Sequence, residues 1–359
     1  MKIKVVLFFI SYCALIHFQC GPVPPPPSAE REAPAFIFYK RAMFYVENAE
    51  YEKALVQLDT AIAMKPEFAQ FYYTQGQIYE LMDNKISALV AYETAIRYKS
   101  HYPDTWKKLA HLYMQVGQYE KASQMLRSLT ENQPDSLQYE LDLAESYIFA
   151  RKPLLAQERL TYYEKQGGRS PEKIRLQGMA YFIQDNYPKA IELLDTYVSA
   201  VPNNYLALKY LGIACIRYAL PEKGISALNQ ALQLNPEDPE LYVYRGQYFL
   251  QMNKKEAAAG QYQYALSMDH SNPLVLLENG KFVLAEGDTL EAEKLLQKAL
   301  LSNENCWECC KFLGIIADDQ GRDLEALGYF QKYLTNIYYP DPDIEKRIKN
   351  LRTINQKQK

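Results

Sequence analysis

Small, apolar and polar positions recur along this chain with a period of 34. Ala54, Ala88, Ala122, Ala156, Ala190, Gly224, Ala258, Ala292 and Ala326 stand 34 residues apart without a slip. Twelve residues ahead of each stands a second small residue: Ala42, Gly76, Ala110, Ala144, Gly178, Gly212, Gly246, Gly280 and Gly314. The spacing around these ladders is helical. In the third period Trp106, Leu109, Ala110 and Tyr113 fall at i, i+3, i+4 and i+7, one face of an α-helix, and Ala122, Leu126 and Leu129 line the inner face of a second. Gly117 breaks the chain between them, which predicts an antiparallel helical hairpin.

Where two helices cross closely a long side chain would force the backbones apart, so Ala or Gly is needed at the crossing and Tyr or Leu fills the wider gaps beside it. Pro134 follows the second helix and ends it, and Pro66, Pro202 and Pro236 hold the same offset in other periods. The large position of Tyr113 reads Tyr45, Tyr79, Tyr147 and Tyr181 elsewhere, then loosens to Cys215, Phe249, Val283 and Ala317.

A 34-residue helical period of this kind resembles the tetratricopeptide repeat, over residues 35 to 340. The resemblance implies an all-α fold, a right-handed superhelical α-solenoid of helix-turn-helix repeats. Nine repeats are expected, at 35–68, 69–102, 103–136, 137–170, 171–204, 205–238, 239–272, 273–306 and 307–340. The fourth is the least regular: Glu140 replaces a large apolar residue, Pro153 falls in the turn, and Gly167-Gly168-Arg169-Ser170-Pro171 closes it. It reads as a degenerate repeat with a strong helix stop, the alternative being a hinge between repeats one to four and five to nine. Residues 341–359 read as a C-terminal capping helix and polar tail, with Ile344, Ile348 and Leu351 as its apolar stripe.

Composition changes this picture little. The hydrophobic share of 48% supports one continuous core, and 40 basic against 43 acidic residues give a net charge of −3, with no global field to attract nucleic acid. No nucleic-acid partner is therefore expected.

The N-terminus adds a location. Lys2 and Lys4 precede an apolar run from Val5 to Phe18, the length and flank of an export signal and short for a membrane span. Cys20 ends that run, ahead of a Pro-rich stretch. This resembles a bacterial lipoprotein signal, with residues 1–19 as the signal peptide and 20–34 as a Pro-rich tether. His17 and Gln19 depart from the usual lipobox, and the stretch is more similar to the relaxed boxes of spirochaete lipoproteins. The resemblance implies lipidation (palmitate and related acyl chains) at Cys20. It also implies a lipid-anchored place in the bacterial cell envelope, at the outer membrane or periplasmic face, with the prolines as a stiff spacer.

In tetratricopeptide proteins the first helix of each repeat lines a concave groove. Carrying those positions over gives Tyr39, Lys40, Tyr73, Gln77, Lys107, Lys108, His111, Arg175, Lys209, Tyr210, Arg217, Tyr244, Gln247 and Lys281 as partner-binding residues, an aromatic and mixed-polar surface with a basic bias. The carboxylate clamp of chaperone adaptors is absent, since Tyr39 and Met43 hold its first-repeat positions. Cys306-Trp307-Glu308-Cys309-Cys310 is the one cluster suggestive of chemistry. Zinc would need two further ligands, so a local Cys306–Cys309 disulfide or plain packing is the better reading, and no metal or cofactor is expected. No phosphate loop, zinc-protease or serine-hydrolase motif occurs. The expected function is a non-catalytic envelope scaffold or assembly adaptor binding a protein or peptide. A scaffold for polysaccharide export or cell-wall processes is the alternative, and a redox or metal site at Cys306 and Cys309 the less favoured one.

Overall fold

The computed structural model describes residues 34–99, 103–133, 136–336 and 340–357. The expected signal peptide, Cys20 and nearly all of the Pro-rich tether lie outside these residues, as does Pro134. The protein is all-α, with 19 helices and no strand among the described residues. It forms two compact units. The first ends at Val116 and holds α1 (Pro34–Glu47), α2 (Tyr51–Met64), α3 (Ala69–Leu81), α4 (Lys85–Tyr98) and α5 (Pro103–Gln115). The second begins at Gly117, inside the third 34-residue period. It holds α6 (Tyr119–Asn132), α7 (Gln138–Phe149), α8 (Pro153–Lys165), α9 (Pro171–Ile183), α10 (Tyr187–Ala200), α11 (Tyr205–Arg217) and α12 (Pro221–Leu234). It continues with α13 (Pro239–Gln251), α14 (Lys255–Met268), α15 (Pro273–Ala285), α16 (Thr289–Ser302), α17 (Trp307–Asp319), α18 (Asp323–Leu334) and α19 (Pro342–Lys357). Among the described residues no helix is long and apolar enough to cross a membrane.

The helices pair as hairpins because two ladders meet. A Cβ added to Gly76 would lie 2.6 Å from the Tyr92 ring, one on Gly246 2.8 Å from Tyr262, and one on Gly314 2.6 Å from Phe330. Gly178, Gly212 and Gly280 face Leu194, Leu228 and Leu296 at 2.7–2.9 Å in the same sense. The opposing residue always stands sixteen positions later, and each of these six is at most 1% exposed. The aromatic partners all face Gly, whereas the Leu partners face Gly in the three hairpins above and Ala in others: Ala42 stands sixteen positions before Leu58, in one core cluster with it, as Ala144 does before Leu160. A ring at this crossing leaves no room for a Cβ, while a Leu leaves it in some hairpins and not in others.

The turn between the paired helices is as regular. Ala49, Asp83, Gly117, Arg151, Asp185, Ala219, Asn253, Gly287 and Gly321 occupy it at intervals of 34, all with φ between 54° and 96°. The following amide bonds back across the turn, as in Lys152 N to Tyr147 O at 2.7 Å, with Arg151 N to Ile148 O at 2.9 Å. This pair of bonds is a Schellman cap, which satisfies the last carbonyls and reverses the chain. Gly takes the left-handed conformation without strain, and a residue with a Cβ costs about 1 kcal/mol there.

In the second unit the odd-numbered helices α7 to α17 also touch the next odd-numbered helix, which makes theirs the shorter, concave side. Pro153 starts α8 rather than interrupting a helix, a position where its missing N–H is no loss. The Gly167–Pro171 stretch lies within the second unit, and the boundary between the compact units falls after Val116. Ile344, Ile348 and Leu351 of α19 are buried with Ala317, Ala326 and Phe330.

Glu140 is 6% exposed, has Arg159 at 3.9 Å, and leaves Oε2 without a hydrogen bond. Burial raises its pKa above the ordinary 4.5, only partly opposed by Arg159.

Two predictions follow from this packing. Gly314→Ala should destabilise by about 1–3 kcal/mol through overpacking. Gly328→Ala, on exposed helix with nothing within 4 Å of its added Cβ, should stabilise by up to about 1 kcal/mol. Adding Phe330→Leu to Gly314→Ala should recover part of the loss in urea melts, and equal effects of the two single substitutions would sink the crossing argument. Glu140→Leu should stabilise by about 1–2 kcal/mol at neutral pH. A carboxylate with a raised folded pKa weakens the fold only when ionised, so the gain should fade as pH drops below that pKa. Parallel pH profiles of the two proteins would contradict it.

Candidate functional site

The concave side of the second unit encloses a chamber of about 460 Å³. α11 supplies its floor: Leu206, Lys209, Tyr210, Ile213 and Arg217 share one helix face. Phe182 and Ile183 end α9 beside them, and Glu240 and Tyr244 come from α13. Tyr119, Phe149 and Arg151, from the start of the unit, form one wall, and Leu274 at the start of α15 another. The shared wall residues Tyr119, Phe149, Arg151 and Leu274 also line a second chamber of about 840 Å³, bounded by Glu120, Leu277, Asn303, Asn305, Cys306, Trp307 and Glu308. The two cavities thus join along one side.

The aromatic lining is ordered by its own contacts. Tyr119 stacks on Phe149 with centroids 5.2 Å apart, and Tyr210 meets Phe182 edge-on at 5.0 Å. The Arg217 guanidinium lies over Phe182 at 5.6 Å and donates to the Tyr187 hydroxyl at 3.1 Å. Tyr187 donates in turn to Asp185 at 2.5 Å. Burial pushes the Tyr244 phenol up to about 12 and raises Tyr210 and Tyr119, the last also under the charge of Glu240. These hydroxyls are therefore neutral hydrogen-bonding groups near neutral pH.

The basic bias expected of the concave face is largely cancelled by carboxylates of the neighbouring repeat. Lys209 reaches Asp238 and Glu240, each at 2.7 Å. Arg175, 7% exposed, reaches back to Glu145 at 2.8 Å and along its helix to Glu172 at 2.6 Å. Lys281 bonds Glu278 and Glu308, both at 2.9 Å, Gln247 donates to Glu278 at 3.0 Å, and Lys311 pairs with Asp341 at 2.7 Å. Burial alone would lower the Lys209 pKa, but Glu240 and Asp238 more than offset it and hold the ammonium above its ordinary 10.5. These side chains tie repeats together.

Of the residues carried over from the groove positions, Lys209, Tyr210, Arg217 and Tyr244 come together in the chamber. In the first unit, Tyr39 contacts Thr74 at 3.2 Å, Tyr73 is buried with its ring 5.5 Å from Tyr92, and Lys108 pairs with Glu80 at 2.9 Å. Lys40, Lys107 and His111 are exposed and Gln77 is half-buried. Groove positions missed Arg151, Asp185, Tyr119 and Phe149, which sit at or beside the inter-helix turns. Gly117 marks one such turn in the sequence, but no pattern there places Tyr119, Phe149 and Arg151 in one chamber with Leu274 of α15.

Cys306 and Cys309 form a disulfide with Cα atoms 5.2 Å apart, Cys306 at the start of α17 on the wall of the larger chamber. Cys215 and Cys310 are free and buried, and burial pushes the Cys215 thiol up to about 11. Among the described residues no group of three or more His, Cys, Asp or Glu side chains is placed to hold a metal ion.

Models of the tetratricopeptide repeat match residues 69–102, 87–146 and 220–273. The chain carries tetratricopeptide repeats. Bovine BBSome complex member BBS4 is 24% identical over 259 residues, 71% of this chain and 49% of its own length, so this chain spans about half of that relative. The TPR repeat-containing protein BH2049 of Halalkalibacterium halodurans is 28% identical over 46% of this chain and 74% of its own. The crystal structure of a tetratricopeptide repeat protein from Parabacteroides merdae superposes with a TM-score of 0.57 at 16% identity, covering 74% of this chain and 98% of that one, and shares the fold.

The inter-repeat ion pairs carry a stability prediction. Lys209→Met should cost about 3 kcal/mol at neutral pH, because Asp238 is left 8% exposed without its cation. A group whose folded pKa is raised stabilises below its unfolded value, so this contribution should persist until the pH climbs through the raised Lys209 pKa. An unchanged urea midpoint at pH 7 would refute the role.

Proposed function

We propose that this protein is a non-catalytic scaffold of the bacterial cell envelope, anchored by lipid at Cys20, that binds a segment of a partner protein in the concave chamber of its second unit. Tetratricopeptide repeats are protein-binding modules, and the bovine relative is named as a member of a complex. The observation that carries the reading is the chamber itself. It lies within the size range of ligand sites, and its lining divides about evenly between apolar or aromatic surface and polar surface from Arg151, Asp185, Lys209, Arg217 and Glu240. Tyr and Arg, which dominate binding hot spots, line it on three sides. Stacked rings hold their shape before a partner arrives, which limits the entropy lost on binding.

Capture from detergent-solubilised envelopes tests both halves of this proposal. Wild-type protein should retain a stoichiometric partner protein, and Tyr119→Ala/Tyr210→Ala should lose at least tenfold of it while keeping the melting temperature within a few degrees. Equal capture by both would remove the chamber as the site, and glycan recovered without protein would favour the polysaccharide-export scaffold instead. In the same cells Cys20→Ser should abolish palmitate labelling and release the protein from membranes; persistent labelling would overturn the anchor.

A further inference from the structure

We infer that the partner segment is an extended peptide carrying a carboxylate side chain, which the guanidiniums of Arg151 and Arg217 receive in the smaller chamber. This inference rests on the chamber reading above and adds the partner's chemistry to it.

The argument begins with which cations are already engaged. On the concave face of the second unit Arg175, Lys209, Lys281 and Lys311 each bond a carboxylate of this chain. Arg151 and Arg217 make no ion pair among the described residues, and both line the same chamber. Arg217 feels the charge of Asp185 and is bridged to it by the Tyr187 hydroxyl, with its face against Phe182, but makes no direct ion pair with it. Stacking fixes the plane of the guanidinium and leaves N–H groups for an acceptor. Both residues have surface open to solvent, while burial around the Arg217 guanidinium has already withdrawn part of its water. A planar carboxylate matches the guanidinium fork, and the bond is strengthened in an aromatic-walled site.

Arg151 occupies the left-handed turn position with φ 56°, as Ala49, Asp83, Asp185, Ala219 and Asn253 do in other repeats, while Gly117, Gly287 and Gly321 hold it elsewhere. Glycine is therefore compatible with the backbone at residue 151.

The rest of the site selects a peptide over other anions. Asp185 and Glu240 also line the chamber, so a polyphosphate or nucleic-acid backbone would be repelled where a single carboxylate is not. The chamber opens along Tyr119 and Arg151 into the larger one, where Asn303 and Asn305 offer amide groups of the kind that pair with an extended backbone. Glu120 and Glu308 also line the larger chamber, but each is already paired, with Lys152 at 3.7 Å and Lys281 at 2.9 Å.

The experiment uses full-length protein and two pools of twelve-residue peptides, with a fixed central Glu or Gln flanked by randomised uncharged residues. The Glu pool should be retained at least tenfold better than the Gln pool, and the difference should shrink with rising salt. Arg217→Gln and Arg151→Gly should each reduce that preference at least fivefold, with Arg217→Lys intermediate. Arg151→Gly should leave the melting temperature unchanged or raised, so its loss of binding cannot come from unfolding. Equal retention of the two pools, both lost in Tyr119→Ala/Tyr210→Ala, would overturn the carboxylate inference and leave the chamber standing. Retention of neither pool, or retention indifferent to the tyrosine substitutions, would overturn both.

Discussion

The architecture depends on one steric constraint. Each hairpin closes where a residue with little or no side chain meets a large one sixteen positions later. At Gly314 even a methyl group would sit 2.6 Å from Phe330. The constraint fixes how closely the helices approach, hence the pitch of each hairpin and the offset to the next. The left-handed turn completes it, since its Schellman bonds hold the second helix antiparallel to the first. Because each repeat touches mainly its neighbours, a local tolerance of tenths of an ångström recurs in every repeat and sets the curvature of the concave side.

That curvature explains what could and could not be read in advance. The period alone located the hairpins, because Ala and Gly at fixed offsets leave no alternative packing. Ile344, Ile348 and Leu351 were legible for the same reason, as a helical stripe with one face to bury. The chamber was only half legible. Lys209, Tyr210, Arg217 and Tyr244 sit on first helices, and their spacing places them on the concave face. Arg151 and Phe149 share a chamber with Leu274, more than a hundred residues away, through small rotations summed over intervening repeats, and no sequence pattern states that sum. Electrostatics misled in the opposite direction. Lys281 and Arg175 look like binding cations in the sequence, yet their partners Glu308 and Glu145 stand about one repeat away, beyond the window in which helical charge pairs are recognised.

The internal ion pairs also bear on specificity. A cation held by two carboxylates, as Lys209 is by Asp238 and Glu240, has little attraction left for a ligand and chiefly keeps adjacent first helices in register. Satisfying most charges inside the array makes the remaining ones discriminating. If every groove lysine were free, the face would attract any polyanion. With two guanidiniums outside any ion pair and carboxylates beside them, recognition depends on where a negative charge is placed, and misplaced charge is rejected.

Position along the solenoid matters as much as residue type. The chamber is walled by residues from the first and later repeats of the second unit, which do not follow each other in the chain. A partner touching only one repeat would leave the array's bending unaffected. A segment lying across Tyr119, Arg217 and Leu274 would bridge repeats otherwise connected through the stack between them, and its binding free energy would vary with the curvature of that stack. Any substitution that alters a helix crossing in α9 to α13 would therefore reach the chamber through geometry without touching it. The steric match of Gly212 to Leu228, which does not itself line the chamber, is in this sense part of the binding site.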